Sequence, residues 1–161
     1  MKSIKKLLFV MAALAAVFGF VACSNDDDDG PETVAVYKAD DSGSGYTDIY
    51  ILTFYDDYSF SVYNEWDYGS GDKWSGIGCT GTYTGDVTKD TSATNKVTYT
   101  VKKYANEKGK LVSIEDFIKE YLDDQATDEQ VKEELKDYTN VPVTITGKML
   151  VCDIGRFTRD E

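Results

Sequence analysis

From Thr33 onward the chain reads mostly in period two, the repeat of strands with one buried face. Thr33 to Lys38 (TVAVYK) is a first strand, followed by a Gly/Ser turn from Asp41 to Gly45. From Thr47 to Tyr55 every residue except Asp48 is β-branched, aromatic or aliphatic. Ile49, Ile51, Thr53 and Tyr55 take one face there, and Tyr50, Leu52 and Phe54 the other. Asp56-Asp57 breaks the run, and Tyr58, Phe60 and Val62 then alternate with Ser59, Ser61 and Tyr63, which predicts a hairpin. Tyr63 to Gly78 mixes aromatic, acidic and glycine residues and reads as a long hairpin loop. Strands resume at Cys79 to Thr84 and at Lys96 to Tyr104, with a polar turn from Gly85 to Asn95 between them.

The period then changes. Ile114, Phe117, Ile118, Tyr121 and Leu122 fall on one face of a helix, with Ser113 as N-cap and Asp116 in the capping-box position. A second helix runs from Asp128 to Asp137, capped by Thr127 with Gln130 and apolar along Val131, Leu135 and Tyr138. Strands return at Val141 to Thr146 and Met149 to Asp153, and the chain closes Arg156-Phe157-Thr158-Arg159. Short strands joined by tight turns predict an all-β fold: an antiparallel meander closed as a small barrel or folded as a sandwich. Two short helices, within 113–138, are inserted before the last strands.

Charge and composition narrow the function. The 161 residues carry 29 acids against 17 bases, a net charge of −12. That argues against nucleic acid, whose phosphates need Lys and Arg, and suits a cationic partner or simple solubility. The chain has no histidine, so the usual general base, the commonest metal ligand and every Ser-His or Cys-His arrangement are missing. Carboxylate pairs remain at Asp56/Asp57, Glu65/Asp67 and Asp123/Asp124, but each is better explained by a turn, a loop or a solvated helix end. We therefore expect no catalytic residue, no cofactor and no metal site. Trp66, Tyr68 and Trp74, set among carboxylates and glycines, are the candidate ligand-binding residues; they stack on a sugar or a partner's side chain, or they cover the edge of the core.

The N-terminus decides where the domain is delivered. Lys2, Lys5 and Lys6 precede an apolar run from Leu7 to Ala22, which at about 16 residues is shorter than a bilayer-spanning helix. This is the pattern of a secretory signal. The run ends Phe20-Val21-Ala22-Cys23, which resembles the lipobox of bacterial lipoproteins, with Phe20 where that family prefers Leu. The resemblance implies cleavage before Cys23 and its acylation, and more than one acyl chain anchors stably. It divides the chain into a signal peptide (1–22), a lipidated Cys and acidic tether (23–32) and a β domain (33–161). Loss of residues 1–22 removes three lysines and takes the net charge to −15. Asp26 to Asp29 reads as a solvated tether, and acids directly after a lipidated Cys also resemble the signal that sends some lipoproteins to the outer face of the outer membrane. In an exported chain the two remaining cysteines, Cys79 and Cys152, are a candidate disulfide, the alternative being two separate buried thiols.

Phe54-Tyr55-Asp56-Asp57-Tyr58-Ser59-Phe60, Gly81-Thr82-Tyr83-Thr84-Gly85, Lys148-Met149-Leu150 and Phe157-Thr158-Arg159 come in an order that resembles small lipocalin-like domains of bacterial lipoproteins. Tyr58 stands where that family has Gly after its paired acids, and the helical pair is longer than such barrels usually carry. The resemblance implies a barrel with an apolar-ligand cavity. The expectation is a lipid-anchored, surface-exposed, non-catalytic binding module for a small apolar ligand or a glycan. The alternative is an acidic interaction or inhibitor protein that meets a cationic protein without a pocket.

Overall fold

The computed structural model describes residues 30–69, 71–90, 97–122 and 126–160. The signal peptide, Cys23, the Asp26–Asp29 run and the Asp123/Asp124 pair lie outside the described residues.

The strands are β1 (Thr33–Asp40), β2 (Thr47–Tyr55), β3 (Ser59–Asp67), β4 (Lys73–Thr84), β5 (Val97–Ala105), β6 (Leu111–Ser113), β7 (Val141–Thr146), β8 (Met149–Cys152) and β9 (Gly155–Arg159). Helices α1 (Ile114–Leu122) and α2 (Asp128–Glu134), the latter continued by a 3-10 turn at Leu135–Tyr138, stand between β6 and β7. All pairings are antiparallel, and β1 closes on β9 while β4 pairs β5. The result is a closed barrel of eight strands in the order β1-β2-β3-β4-β5-β7-β8-β9, with β6 added outside the circuit on β5. Closure leaves no unpaired sheet edge in the circuit.

Alternation along each strand fills the barrel. Tyr37, Phe54, Phe60, Tyr83, Tyr99 and Phe157 point inward and are buried. Phe54 meets Tyr83 edge-on at 4.9 Å, Phe60 meets Tyr99 at 5.4 Å and Tyr50 meets Phe157 at 5.8 Å between ring centroids. Gly81 makes this packing possible, because a Cβ there would lie 2.1 Å from the Thr100 carbonyl oxygen and 2.7 Å from the Phe60 ring. On the opposite face of β2, Ile49 and Ile51 form a separate small cluster with Val36, Tyr63 and Trp66 packed against it.

One end of the barrel is plugged by the segment after β4. Val87 is buried there, its carbonyl accepts a 2.6 Å bond from the Tyr37 hydroxyl, and Arg159 donates to the Thr88 carbonyl at 2.9 Å. The chain enters β1 at this same end, where Glu32 and the β2–β3 turn exchange hydrogen bonds through Asp56. The helices sit at the other end. Ile114, Ile118, Val131 and Tyr138 reach into the core, and Phe117 stacks on Tyr104 at 4.4 Å. Both caps expected from the sequence form: Asp116 N–H donates to Ser113 Oγ, and Thr127 and Gln130 make a full capping box. Tyr121, placed on the apolar stripe by its spacing, is instead half exposed, because α1 packs through a narrower face centred on Ile114 and Ile118.

The segment from Tyr63 to Gly78 is not a long loop. β3 runs on to Asp67, paired with β2 as far as Thr47, and β4 begins at Lys73, so the two strands form a long hairpin through the whole segment. Gly78 sits at an irregularity in the β3–β4 register, between the pairs Val62↔Cys79 and Tyr63↔Ile77, and the glycines that suggested a loop are absorbed by the ladder.

Candidate functional site

Two inward positions of the barrel carry polar side chains where the pattern calls for apolar ones. Asp48 shares its face of β2 with Tyr50, Leu52 and Phe54, and Asn64 shares its face of β3 with Phe60 and Val62. Asp48 pairs across the ladder with Trp66, and Tyr50 pairs with Asn64, so the acid and the amide are diagonal neighbours at the helix-bearing end. Asp48 is 0% exposed and Asn64 5%. Both carboxylate oxygens of Asp48 and the Oδ1 of Asn64 are buried without a hydrogen-bond partner.

Such groups are costly. A buried polar atom left unpaired costs about 1–3 kcal/mol, and more if it carries charge. Burial therefore pushes the Asp48 carboxyl up from 3.8 to about 7, and the like charges of Asp41 and Asp40 push in the same direction. The backbone around it is held firmly. Asp48 N–H donates to Ser42 Oγ at 2.7 Å, and Asp41 N–H donates to the Asp48 carbonyl at 2.6 Å. Asn64 is accommodated by glycine across the ladder, since a Cβ at Gly78 would fall 2.2 Å from its Oδ1.

Aromatic rings line the rim beside this acid. Trp66 stacks on Tyr68 with centroids 5.5 Å apart, and Tyr68 lies against Tyr46 at 6.5 Å. Tyr46 and Tyr68 are 40% and 45% exposed, so the aromatic face reaches the surface. The hydroxyl of Tyr68 is pushed above its ordinary pKa by burial first and by Asp48 second, as is that of Tyr50. The β1–β2 and β3–β4 turns meet here, where a Cβ on Gly69 would lie 3.3 Å from the Gly45 carbonyl oxygen.

Of the three candidate ligand residues, Tyr68 is the one that feels the Asp48 charge, while Trp66 stacks on Tyr68 and also packs against Ile49 and Ile51. Trp74 pairs with Trp66 across the hairpin, but its indole Nε1 faces the β5–β6 turn, 3.0 Å from where a Cβ of Gly109 would be. Trp74 thus lies next to Trp66 on the ladder and against the β5–β6 turn. Asp48 and Asn64 were not among the candidates. Their signal was present in the period, an acid in step with Tyr50, Leu52 and Phe54, and an amide in step with Phe60 and Val62.

The expected Cys79–Cys152 disulfide is not formed, and both thiols are free. Cys79 lies inside the barrel on β4 and Cys152 ends β8, three strands on around the circuit, yet the two are near enough across the interior that Cys152 helps raise the pKa of Cys79 and both act on Tyr99. Burial pushes Cys79 up to about 12 and Cys152 up to about 11, which holds both as protonated, inert thiols. Beside them the Tyr99 hydroxyl donates to the Asp153 carboxylate. The carboxylates of Asp56 and Asp57 belong to the β2–β3 turn at the far end, where Asp57 accepts from Ser59 N–H. Among the described residues no group of three or more His, Cys, Asp or Glu is placed to hold a metal ion.

No protein-family model matches the chain, and no curated protein or solved structure shows significant similarity to it.

Proposed function

We propose that this protein is a lipid-anchored envelope lipoprotein whose barrel is a non-catalytic binding module, with its binding end at Asp48, Asn64, Trp66 and Tyr68. The observation that carries the reading is the fully buried, unpartnered Asp48 carboxylate beside an exposed aromatic face. A protein that needed this end only as core would gain stability from an apolar side chain there. Retaining an acid at a cost is the pattern of a functional site. Inward-facing aromatic rings occupy the middle of the barrel, so the reading favours a small ligand at the rim, a glycan among them, over an apolar guest deep in the lumen. The chain enters the barrel at the opposite end, so a lipid on Cys23 leaves the binding end free of the anchor.

Two measurements test this. Metabolic palmitate labelling with protease shaving of intact cells, against a Cys23→Ala control, tests the anchor and its exposure. A thermal-shift screen of the full chain with oligosaccharides and small amphiphiles tests the module. A ligand that raises the melting temperature with concentration, and whose effect is lost in Trp66→Ala, supports the reading. Stabilisation that survives loss of Trp66 and Tyr68 places binding elsewhere and refutes the site.

A further inference from the structure

We infer that the group recognised at Asp48 is a protonated amine, carried by an amino sugar, a polyamine or a basic side chain of a partner. The inference rests on the reading of this end as a binding site and goes on to name the chemistry of its ligand.

The argument is one of donors and acceptors. The unpaired atoms are Oδ1 and Oδ2 of Asp48 and Oδ1 of Asn64, all acceptors when Asp48 is ionised. The charges acting most strongly on Asp48, those of Asp41 and Asp40, have its own sign. What is missing is therefore donors and positive charge together. An alkylammonium supplies three N–H donors, no acceptor and one charge, whereas a hydroxyl supplies a single donor and brings acceptors of its own. A carboxylate or phosphate brings only acceptors and is repelled.

The placement agrees. Asp48 and Asn64 are diagonal neighbours on the inward face of the β2–β3 ladder, within reach of one another's long-range side-chain contacts. The surrounding rings suit the same guest. Tyr50 and Tyr68 both feel the charge of Asp48, and Trp66 stacks on Tyr68, so the acid sits beside π-faces that attract a cation and cover its methylene stem. Part-exposed Tyr46 and Tyr68 lie between the fully buried acid and the surface, so an amine reaches Asp48 by displacing these rings.

The experiment uses the indole resonances of the ¹⁵N-labelled full chain, whose two tryptophans give two signals, assigned with Trp66→Phe. The probes are propylammonium chloride, its neutral isostere propanol, and sodium chloride at matched ionic strength. Propylammonium should shift the Trp66 indole saturably. Propanol should bind about tenfold more weakly or not at all, and Asp48→Asn should weaken propylammonium by about the same factor. Tyr68→Leu, which removes a π-face but keeps an apolar side chain, should weaken propylammonium more than propanol. Equal binding of propanol and propylammonium, unaffected by Asp48→Asn, overturns the amine while leaving a binding end in place. A Trp66 signal that no probe moves beyond the salt control removes both the amine and the site.

Discussion

Replacing Asp48 by asparagine should make this protein more stable at neutral and alkaline pH. In the folded chain the carboxyl titrates at about 7 instead of 3.8, principally because it is buried. Below about pH 4 both folded and unfolded chains hold the proton, and the group costs little. As pH rises from about 4 to about 7, the unfolded chain releases the proton freely while the folded chain keeps it, so stability falls. Above about 7 the folded chain must ionise Asp48 inside the barrel and the full penalty is present. Three pKa units at about 1.4 kcal/mol each make that penalty roughly 4 kcal/mol. The replacing amide keeps the shape and leaves its polar atoms unpaired much as the protonated acid does, so that cost cancels between the two proteins. The net gain at about pH 8 is then on the order of 4 kcal/mol, a rise of about 8–15 °C in melting temperature for a chain of this length. Urea unfolding of both proteins at about pH 4.5, 6 and 8 measures it, with the difference between them as the quantity of interest because other carboxylates cancel in it. A difference that does not change with pH, or a variant less stable at about pH 8, refutes the reasoning that this acid is buried and unpaired.

Gly81→Ala drives a Cβ into the Thr100 carbonyl oxygen and the Phe60 ring, so a loss of about 3 kcal/mol or more in urea unfolding is expected; a loss under about 0.5 kcal/mol would show that β4 and β5 separate easily there. Tyr58 holds a left-handed backbone with φ 62° while 59% exposed, so Tyr58→Gly should stabilise by about 0.5–1 kcal/mol net of its lost contact with the Tyr83 ring, and destabilisation would mean that the ring contact dominates. Cys79 should resist iodoacetamide in the folded chain and react in urea, read by peptide mass mapping; equal rates in the two conditions would contradict its burial.

Much of the barrel was legible along the chain. β2 and β7 have the bounds that alternation assigns, and both helix caps fall on Ser113 and Thr127, because strand period and capping are local matters of three or four residues. Tyr58 follows the paired acids of the β2–β3 turn at an αL position, which ordinarily favours Gly, and bears the strain there. The hairpin arm from Tyr63 to Gly78 was misjudged, since glycine and acid content mark loops in general and say nothing of a partner strand that absorbs an irregularity. The cysteine pair was half legible. Two thiols in one chain suggest a bridge, and the fold brings Cys79 and Cys152 near each other across the barrel interior but leaves both as free thiols.

The sequence by itself determined the elements, their alternating faces, the acidic charge and the absence of histidine, because these depend on neighbours a few residues apart or on composition alone. Closure of β1 on β9 and of β4 on β5 depends on contacts between distant residues, and only the tertiary structure decided it. The same holds for the site. Asp48 was visible as an exception in β2, yet an acid at a strand end is ordinarily hydrated. Packing of the two turns and the rings around it is what takes away its water without supplying a partner, because those contacts join residues far apart in the chain.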